Sequence, residues 1–365
     1  MTKKLLTLIT MITMLSLSIM SCGSKGKDAS SDDSKKTELV LITALNSVDD
    51  KSFNQGSWEG VQQYAKENNM QCKYYESPDS SETSVITTIE LAIAGGAKVI
   101  VCPGYLFEIP LYNIQEQYPD VTFLLLDGAP NDGNGTEKVG DNVAAYRFAE
   151  QEAGFLAGYA AVMDGNKKLG FMGGSAAPAV TRFGYGYIQG ADFAAKELGL
   201  NKGDVSVKYT YVGNYEANPE NQAKAASWYN LGTEVIFGCG GNLGSSVMSA
   251  AEATKGKVIG VDVDQSGESK TVITSAMKNL SKTVYDALTD YYNETLKTGE
   301  CQTLSTKTDS VLLPIDNSVF ETFTKEQYAK IYADLVAGKI KIADNTAAES
   351  ASKLAVELVT VEEIQ

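Results

Sequence analysis

Short apolar runs alternate with helical stretches along most of this chain, in a regular β-α rhythm. In the first part of the chain the predicted strands are 39–44, 71–76, 98–102 and 121–126, and the helices between them are 54–68, 82–94 and 109–117. Two parallel strands can be joined only by a long crossover, which is usually a helix. The rhythm therefore restricts the fold to the α/β class with parallel sheets.

The same rhythm restarts after a junction near Tyr146, where a helix over 149–163 precedes predicted strands at 169–172, 204–212, 234–237 and 257–261. Two such runs predict two lobes, each with its own parallel sheet. A further strand, 271–276, and a helix, 280–298, are expected to return to the first lobe. The predicted domains are a first lobe of 38–147 and 271–342, a second lobe of 148–270, and a C-terminal tail or helix over 343–365.

The N-terminus is typical of an exported protein. Lys3 and Lys4 precede an apolar stretch that ends just before Cys22, which predicts a signal peptide over residues 1–21. The tripeptide before Cys22 resembles a bacterial lipobox, apart from Met20, so Cys22 is predicted to carry the lipid anchor, including palmitate. A polar tether, 22–37, would then hold the protein at the extracytoplasmic face of the cell membrane. The alternative is an ordinary secretory signal with an incidental cysteine.

The composition excludes several classes of function. The chain has no histidine, which removes Ser-His and Cys-His nucleophile pairs and histidine metal sites. Its formal net charge is −15, and no cluster of lysine and arginine offers the basic surface that nucleic acid requires. Cysteines 72, 102, 239 and 301 lack paired metal-ligand spacing, and we expect no cofactor. Carboxylate-only chemistry remains open.

The loop over residues 47–60 follows the first predicted strand and combines carboxylates, a flat ring and a carboxamide. The carboxylates are Asp49 and Asp50, the ring is Phe53 and the carboxamide is Asn54. Loops at the carboxyl ends of parallel strands form the ligand crevice of open α/β sheets. The loop therefore favours a flat, uncharged, hydroxylated solute, although a solvated turn with Ser52 as helix cap is the simpler alternative.

Polar residues also occur where other strands should end. Asp127 ends one strand, Tyr215 and Gly241 lie in loops after two more, and Asp262 ends a fourth. An acidic residue at a strand end is often only a cap or a turn. Together, however, these positions predict a cleft between the lobes that binds a small ligand.

Six segments resemble one known family: 48–55, 123–127, 151–160, 169–174, 259–265 and 274–278. On these segments the chain is similar to the basic membrane lipoprotein (BMP) family, the substrate-binding lipoproteins of ABC importers typified by the purine nucleoside receptor. The similarity runs from about residue 39 to about residue 342. It implies a type I periplasmic-binding-protein fold, in which two parallel-sheet lobes are joined by several crossovers around a ligand cleft. It also implies a nucleoside ligand, with a purine expected, and an ABC permease as partner.

The resemblance further implies roles for single residues. Phe53 would stack on the nucleobase, with Tyr215 as the second ring. The polar groups that would hold base and sugar are Asp50, Asn54, Asp127, Asp262, Lys278 and the backbone amide of Gly241. Lys278 has a simpler interpretation as the start of the next helix, paired with an exposed acid.

Two other functions remain open at this point. A carboxylate-dependent nucleoside hydrolase would use acids that converge on a metal and a water, drawn from Asp49, Asp50, Asp262 and Asp264. A binding protein of the same fold could instead serve as a sensor for another small polar solute. Arg182, Phe183, Tyr185 and Tyr187 either line the second lobe or belong to its core.

Overall fold

The computed structural model describes residues 37–364. The predicted signal peptide, Cys22 and nearly all of the predicted tether lie outside these residues. Within them, no helix combines the length and the apolar character needed to cross a bilayer.

The described residues alternate between strands and helices as the rhythm predicts. In chain order the strands are β1 (Leu39–Thr43), β2 (Cys72–Glu76), β3 (Val99–Pro103), β4 (Thr122–Leu126), β5 (Val143–Phe148), β6 (Lys168–Gly173), β7 (Ser206–Tyr211), β8 (Val235–Cys239), β9 (Lys257–Asp262), β10 (Val272–Lys278), β11 (Glu300–Leu304), β12 (Val311–Leu312) and β13 (Thr360–Glu363). The helices are α1 (Phe53–Glu67), α2 (Glu82–Ala94), α3 (Glu108–Ile114), α4 (Glu150–Met163), α5 (Pro178–Glu197), α6 (Pro219–Asn230), α7 (Leu243–Thr254), α8 (Leu280–Tyr292) and α9 (Lys325–Val336).

The first lobe is built on a six-stranded sheet with the order β11-β5-β4-β3-β1-β2, in which every neighbouring pair is parallel. Strands β1 and β3 are buried along their whole length, as expected of a sheet covered on both faces. Strand β5 lies where sequence analysis placed only a junction near Tyr146. It was missed because it continues directly into α4, with no turn residues to separate the two.

The second lobe is built on a seven-stranded sheet with the order β12-β10-β9-β8-β6-β7-β13. Strand β10 pairs in parallel with β9 in this sheet, so the prediction that 271–276 returns to the first lobe is wrong. The following helix does return, since α8 packs against α1, and so does β11, which pairs with β5 in the first sheet. A strand and its following helix can belong to different lobes when the chain crosses between them, and periodicity alone does not show this.

The C-terminal segment is also more ordered than expected. The prediction for 343–365 is a tail or a helix, but β13 adds a parallel strand to the edge of β7. The prediction failed because this pairing joins strands about 150 residues apart, and a local pattern carries no record of such a partner.

The two lobes are joined by three crossovers within the described residues, after β5, after β10 and after β11. Backbone hydrogen bonds connect these crossovers to one another. Ala149 donates to the Leu304 carbonyl at 2.8 Å, and Asn279 donates to the Ser310 carbonyl at 2.8 Å. Residues on the crossovers are therefore held in fixed positions between the lobes.

Helices α4 and α5 pack at unusually close range through two pairs of glycines. A Cβ atom at Gly154 or Gly158 of α4, or at Gly186 or Gly190 of α5, would lie 2.0–2.1 Å from a backbone carbonyl oxygen of the other helix. No real Cβ contact is that short, so these positions require glycine. The close approach fixes the start of α4 relative to α5.

Replacing Gly158 with alanine tests this packing. In an ordinary helix the change would stabilise the protein by about 0.5–1 kcal/mol. Here the added methyl group would meet the Tyr187 carbonyl at 2.0 Å, so we expect the free energy of unfolding to fall by at least about 1–3 kcal/mol. Gly267→Ala is the matched control, because no atom of the described residues lies within 4 Å of its Cβ position. Urea denaturation of both variants measures the effect, and equal stabilities would contradict the close packing.

Candidate functional site

A cleft opens between the carboxyl ends of the strands of both sheets. It encloses about 700 Å³ of empty space, a volume that includes its open mouth. The structure brings all eight candidate residues to its lining: Asp50, Phe53, Asn54, Asp127, Tyr215, Gly241, Asp262 and Lys278. They come from six separate loops or strand ends, which the topology gathers at one edge.

The centre of the cleft is a buried ammonium group. Lys278 is the last residue of β10 and is 2% exposed. Its Nζ lies 2.5 Å from Asp127 Oδ2, 3.4 Å from Asp262 Oδ1 and 3.5 Å from Glu150 Oε1. The alternative of an exposed ion pair at the start of a helix is therefore wrong. These contacts join both sheets, because Asp127 follows β4 while Lys278 and Asp262 end strands of the second sheet.

A second cation completes this network. Arg182 of α5 donates from Nε to Glu150 Oε2 at 2.5 Å, and Glu150 is fully buried at the start of α4. Sequence analysis did not single out Glu150, because an acid in the first turn of a helix is explained by the helix dipole alone. Its position could have indicated a site residue, because Glu150 comes just after the end of a strand and directly before the motif at 151–160.

Burial and neighbouring charges set the protonation of this network. Burial opposes the charge on Lys278, but the three surrounding carboxylates outweigh it and raise the pKa of its ammonium group. Burial also opposes ionisation of Glu150, but Arg182 and Lys278 hold the pKa of this carboxyl below its usual range. For Asp127, burial raises the pKa against the effect of Lys278, and Glu150 adds to the rise.

Asp127 and Asp262 occupy similar places in the two sheets. Each stands at the carboxyl end of a strand, and each has a φ of 66°, in the left-handed region that few residues other than glycine adopt. Strained backbone of this kind concentrates at ligand sites. In the described part of the chain, Asp127 Oδ1 and Glu150 Oε1 are buried without a hydrogen-bond partner, and of these two residues only Asp127 lines the cleft.

Asp262 also connects the lobes. Its Oδ2 accepts a hydrogen bond of 2.5 Å from the hydroxyl of Ser52, which precedes α1 in the first lobe. Close by, Gln265 Nε2 donates to the Lys51 carbonyl at 2.7 Å, and the Lys51 side chain pairs with Glu268. Ser52 is thus not the side-chain cap of α1, as the simpler interpretation of its loop had it.

Asp50 takes the capping role instead. Its carboxylate accepts the backbone N–H groups of Ser52, Asn54 and Gln55 at 2.9–3.1 Å, which orders the start of α1. The Asn54 side chain donates to the Leu45 carbonyl at 2.8 Å and so fixes the preceding loop. Both residues line the cleft, but their observed contacts are to the loop that carries Phe53.

The walls of the cleft are aromatic. Lys278 Nζ stands 4.4 Å from the centre of the Phe53 ring, so one face of this ring is covered by the ammonium group. Tyr215 lies over Gly174 and Gly240, where any Cβ would meet its ring at 2.4–2.7 Å, and its hydroxyl is 2.5 Å from Ser175 Oγ. These contacts hold Tyr215 in one orientation.

The residues of α5 divide between cleft and core. Phe183 lines the cleft. Tyr187 is fully buried against Phe237, and Tyr185 is buried with its hydroxyl 3.1 Å from the Ala348 carbonyl. The two tyrosines therefore belong to the structural interior.

The acids that a hydrolase would need do not converge. Asp50 and Asp262 line the cleft, but Asp49 is exposed and Asp264 bonds Asn317 at 2.7 Å, outside the cleft lining. Among residues 37–364, no three acidic or cysteine side chains are grouped as a metal site. The geometry gives no support to the metal-dependent hydrolase.

Comparison with known protein families identifies the family of this chain. The family model described as ABC transporter substrate-binding protein PnrA-like, or Bmp, matches residues 37–346. The chain belongs to the Bmp family. The resemblance noted in the sequence is thereby confirmed, and the protein is a substrate-binding protein of the ABC transporter class.

Individual Bmp relatives agree with this assignment. The "ABC transporter nucleoside-binding protein BmpA" of Lactococcus lactis subsp. cremoris is 30% identical, over 88% of this chain and 93% of its own. An uncharacterised lipoprotein of Pyrococcus abyssi is 26% identical, over 75% of this chain and 68% of its own.

Solved structures show the fold of this Bmp protein. An ABC transporter solute-binding protein of Aeropyrum pernix K1 superposes with a TM-score of 0.73 at 22% identity, covering 84% of this chain and 93% of its own. One from Conexibacter woesei superposes with a TM-score of 0.67 at 19% identity, covering 85% and 99%. The predicted periplasmic-binding-protein fold is confirmed.

The pH dependence of stability tests the burial of Asp50. Burial raises the pKa of this carboxyl to about 6 from its usual 3.8. Between these values the folded protein holds a proton that the unfolded chain has released, so the stability from this group is present near pH 4 and is lost as the pH rises through about 6. We therefore expect the free energy of unfolding of the Bmp protein, relative to Asp50→Asn, to fall over this range.

Urea denaturation at several pH values measures this difference. Asp49→Asn is the matched control, because the neighbouring side chain is exposed, and it should follow the unmodified protein. If the difference in free energy of unfolding between the unmodified protein and Asp50→Asn stays constant with pH, the raised pKa of Asp50 is contradicted.

Proposed function

We propose that this protein captures a nucleoside, with a purine preferred, in the cleft between its lobes and presents it to an ABC permease. A lipid on Cys22 would hold it at the outer face of the membrane. The observation that carries the proposal is the combination of aromatic walls with the unpartnered buried oxygen of Asp127. A flat base matches the rings, and a hydroxyl or amino group of the ligand would donate to that oxygen.

The relative from Lactococcus lactis supports the choice of ligand, since its name describes nucleoside binding and its similarity spans nearly the whole chain. The electrostatics of the cleft support a neutral ligand. Lys278 and Arg182 are already paired with three buried carboxylates, so neither cation is free to receive a phosphate.

Calorimetric titration of the protein with adenosine, guanosine, inosine, cytidine and uridine tests this function. Chromatography of each mixture shows whether the ligand stays intact. Tight binding of intact purine nucleosides is the expected result. The appearance of free base would establish a hydrolase, and no heat with any nucleoside would reject the proposed ligand class.

Replacing Phe53 with alanine tests the stacking surface. Stacking of a base on an aromatic ring contributes about 1–3 kcal/mol, so we expect nucleoside affinity to fall by that amount. Tyr74→Ala is the matched control, because Tyr74 is 45% exposed and lies outside the cleft lining. An unchanged dissociation constant for Phe53→Ala, with an unchanged melting temperature, would remove Phe53 from the site.

Comparing inosine with 2′-deoxyinosine tests recognition of the sugar. A hydrogen bond from a hydroxyl to a carboxylate is worth about 1.5–3 kcal/mol, so the deoxy ligand should bind roughly ten- to a hundredfold more weakly. Asp127 and Asp262 are the carboxylates that line the cleft near Lys278. Equal affinities, measured by calorimetry, would exclude a carboxylate contact to the 2′-hydroxyl.

A further inference from the structure

The C-terminal segment, residues 343–364, lies almost wholly beyond the part of the chain that the family model covers. It runs along α5 and is tied to it by side chains. Gln189 exchanges two hydrogen bonds with the backbone of Ala343, both 2.9 Å long, and Tyr185 donates to the Ala348 carbonyl at 3.1 Å. The first part of the segment is therefore fastened to the helix that carries Arg182.

The end of the segment is fastened independently. One oxygen of the buried Asp192 carboxylate accepts the backbone N–H groups of Glu357, Leu358 and Val359 at 2.7–3.1 Å. Beyond them, β13 pairs with β7 over four residues. Contacts at both ends hold the C-terminal segment in one path across the second lobe.

Between these fastenings the segment reaches the charge network of the cleft. Arg182 donates from Nη1 to Asn345 Oδ1 at 3.3 Å, while its Nε donates to Glu150 at 2.5 Å. Glu150 in turn lies 3.5 Å from the Lys278 ammonium group. The contacts form a continuous chain from Asn345, through Arg182 and Glu150, to Lys278.

The surrounding structure restricts the movement of the side chains that make these contacts. The close glycine packing fixes α4 against α5, and with it the backbones that carry Glu150 and Arg182. The Arg182 side chain is 12% exposed, and Asn345 contacts its outer end. Asn345 thus limits the rotation of a guanidinium group whose other end neutralises a buried carboxylate.

We propose that Arg182 and Asn345 are positioning residues for Lys278, through which the C-terminal segment sets the affinity of the cleft for its ligand. With Asn345 in place, Arg182 holds Glu150, and Lys278 stays with Asp127. When Asn345 is lost, Arg182 gains freedom, Glu150 attracts Lys278 more strongly, and the ammonium group moves relative to Asp127. This proposal rests on the proposed function for its ligand, but the chain of contacts exists without one.

Asn345→Ala in the full-length protein tests the proposal by calorimetric titration with adenosine and inosine. Coupling through such networks changes binding by about 0.5–2 kcal/mol, so we expect affinity to fall roughly two- to thirtyfold. Ser352→Ala is the matched control, since its exposed hydroxyl lies in the same segment, contacts Ser350 rather than Arg182 and leaves the fastening to α5 intact, so this variant should bind as the unmodified protein does. Asn345→Asp keeps an acceptor for Arg182 and should restore affinity, which a loss of folding would not allow.

A measurement without ligand separates this proposal from the proposed function. The ¹⁵N resonance of the Lys278 side chain, in lysine-labelled protein, reports the surroundings of its ammonium group. It should shift in Asn345→Ala and stay in place in Ser352→Ala and Asn345→Asp. If the unmodified protein binds neither nucleoside, the proposed ligand is wrong, and this resonance alone decides the positioning role. A resonance that does not move in Asn345→Ala overturns the proposal, as does unchanged affinity where the nucleosides bind.

Discussion

The rest of the structure depends on a buried lysine that must be surrounded by acids. An ammonium group removed from water is strongly unfavourable unless opposite charges and hydrogen bonds replace its hydration. Lys278 has Asp127 from the first sheet, Asp262 from its own sheet and Glu150 from a crossover helix within 3.5 Å. These elements can bring their carboxylates to one point only if both sheets present their carboxyl ends to each other. The requirement of one cation thus fixes how the lobes meet.

The crossovers are suited to this task because they carry members of the network. Lys278 immediately precedes the crossover after β10, and Glu150 follows the crossover after β5. The backbone hydrogen bonds between crossovers limit how far these residues can separate. The lobes also touch through Ser52 and Asp262 and through Lys51 and Glu268. Separation of the lobes would open the cleft and break these interlobe contacts. A ligand would shift the protein toward the closed arrangement only if it bound that arrangement more tightly than the open one.

Lys278 was implied only by the resemblance to the BMP family, because the predicted strand ended at residue 276. The strand pattern itself predicted Asp127 and Asp262, because each ends a buried strand and parallel sheets gather such ends at one edge. The strand pattern did not predict the ion pair between Glu150 and Arg182. These two residues are 32 positions apart and meet only because α4 and α5 pack through glycine. For the same reason β10 was assigned to the wrong sheet and β13 was missed. Periodicity predicts that a strand exists and which residues it buries. It does not predict which strand lies beside it.

The state of the charges inside the cleft narrows what can bind there. Two cations are balanced against three carboxylates in the network around Lys278, and Asp50 is committed to backbone N–H groups. An anionic ligand would add negative charge to a buried network in which the carboxylates already outnumber the cations. A cationic ligand would compete with Lys278 for its carboxylate partners. A neutral solute with hydrogen-bond donors would disturb neither balance and would donate to the oxygen of Asp127 that has no partner among residues 37–364. Under the proposed function, the charge network that holds the lobes together would therefore also select uncharged, donor-bearing ligands.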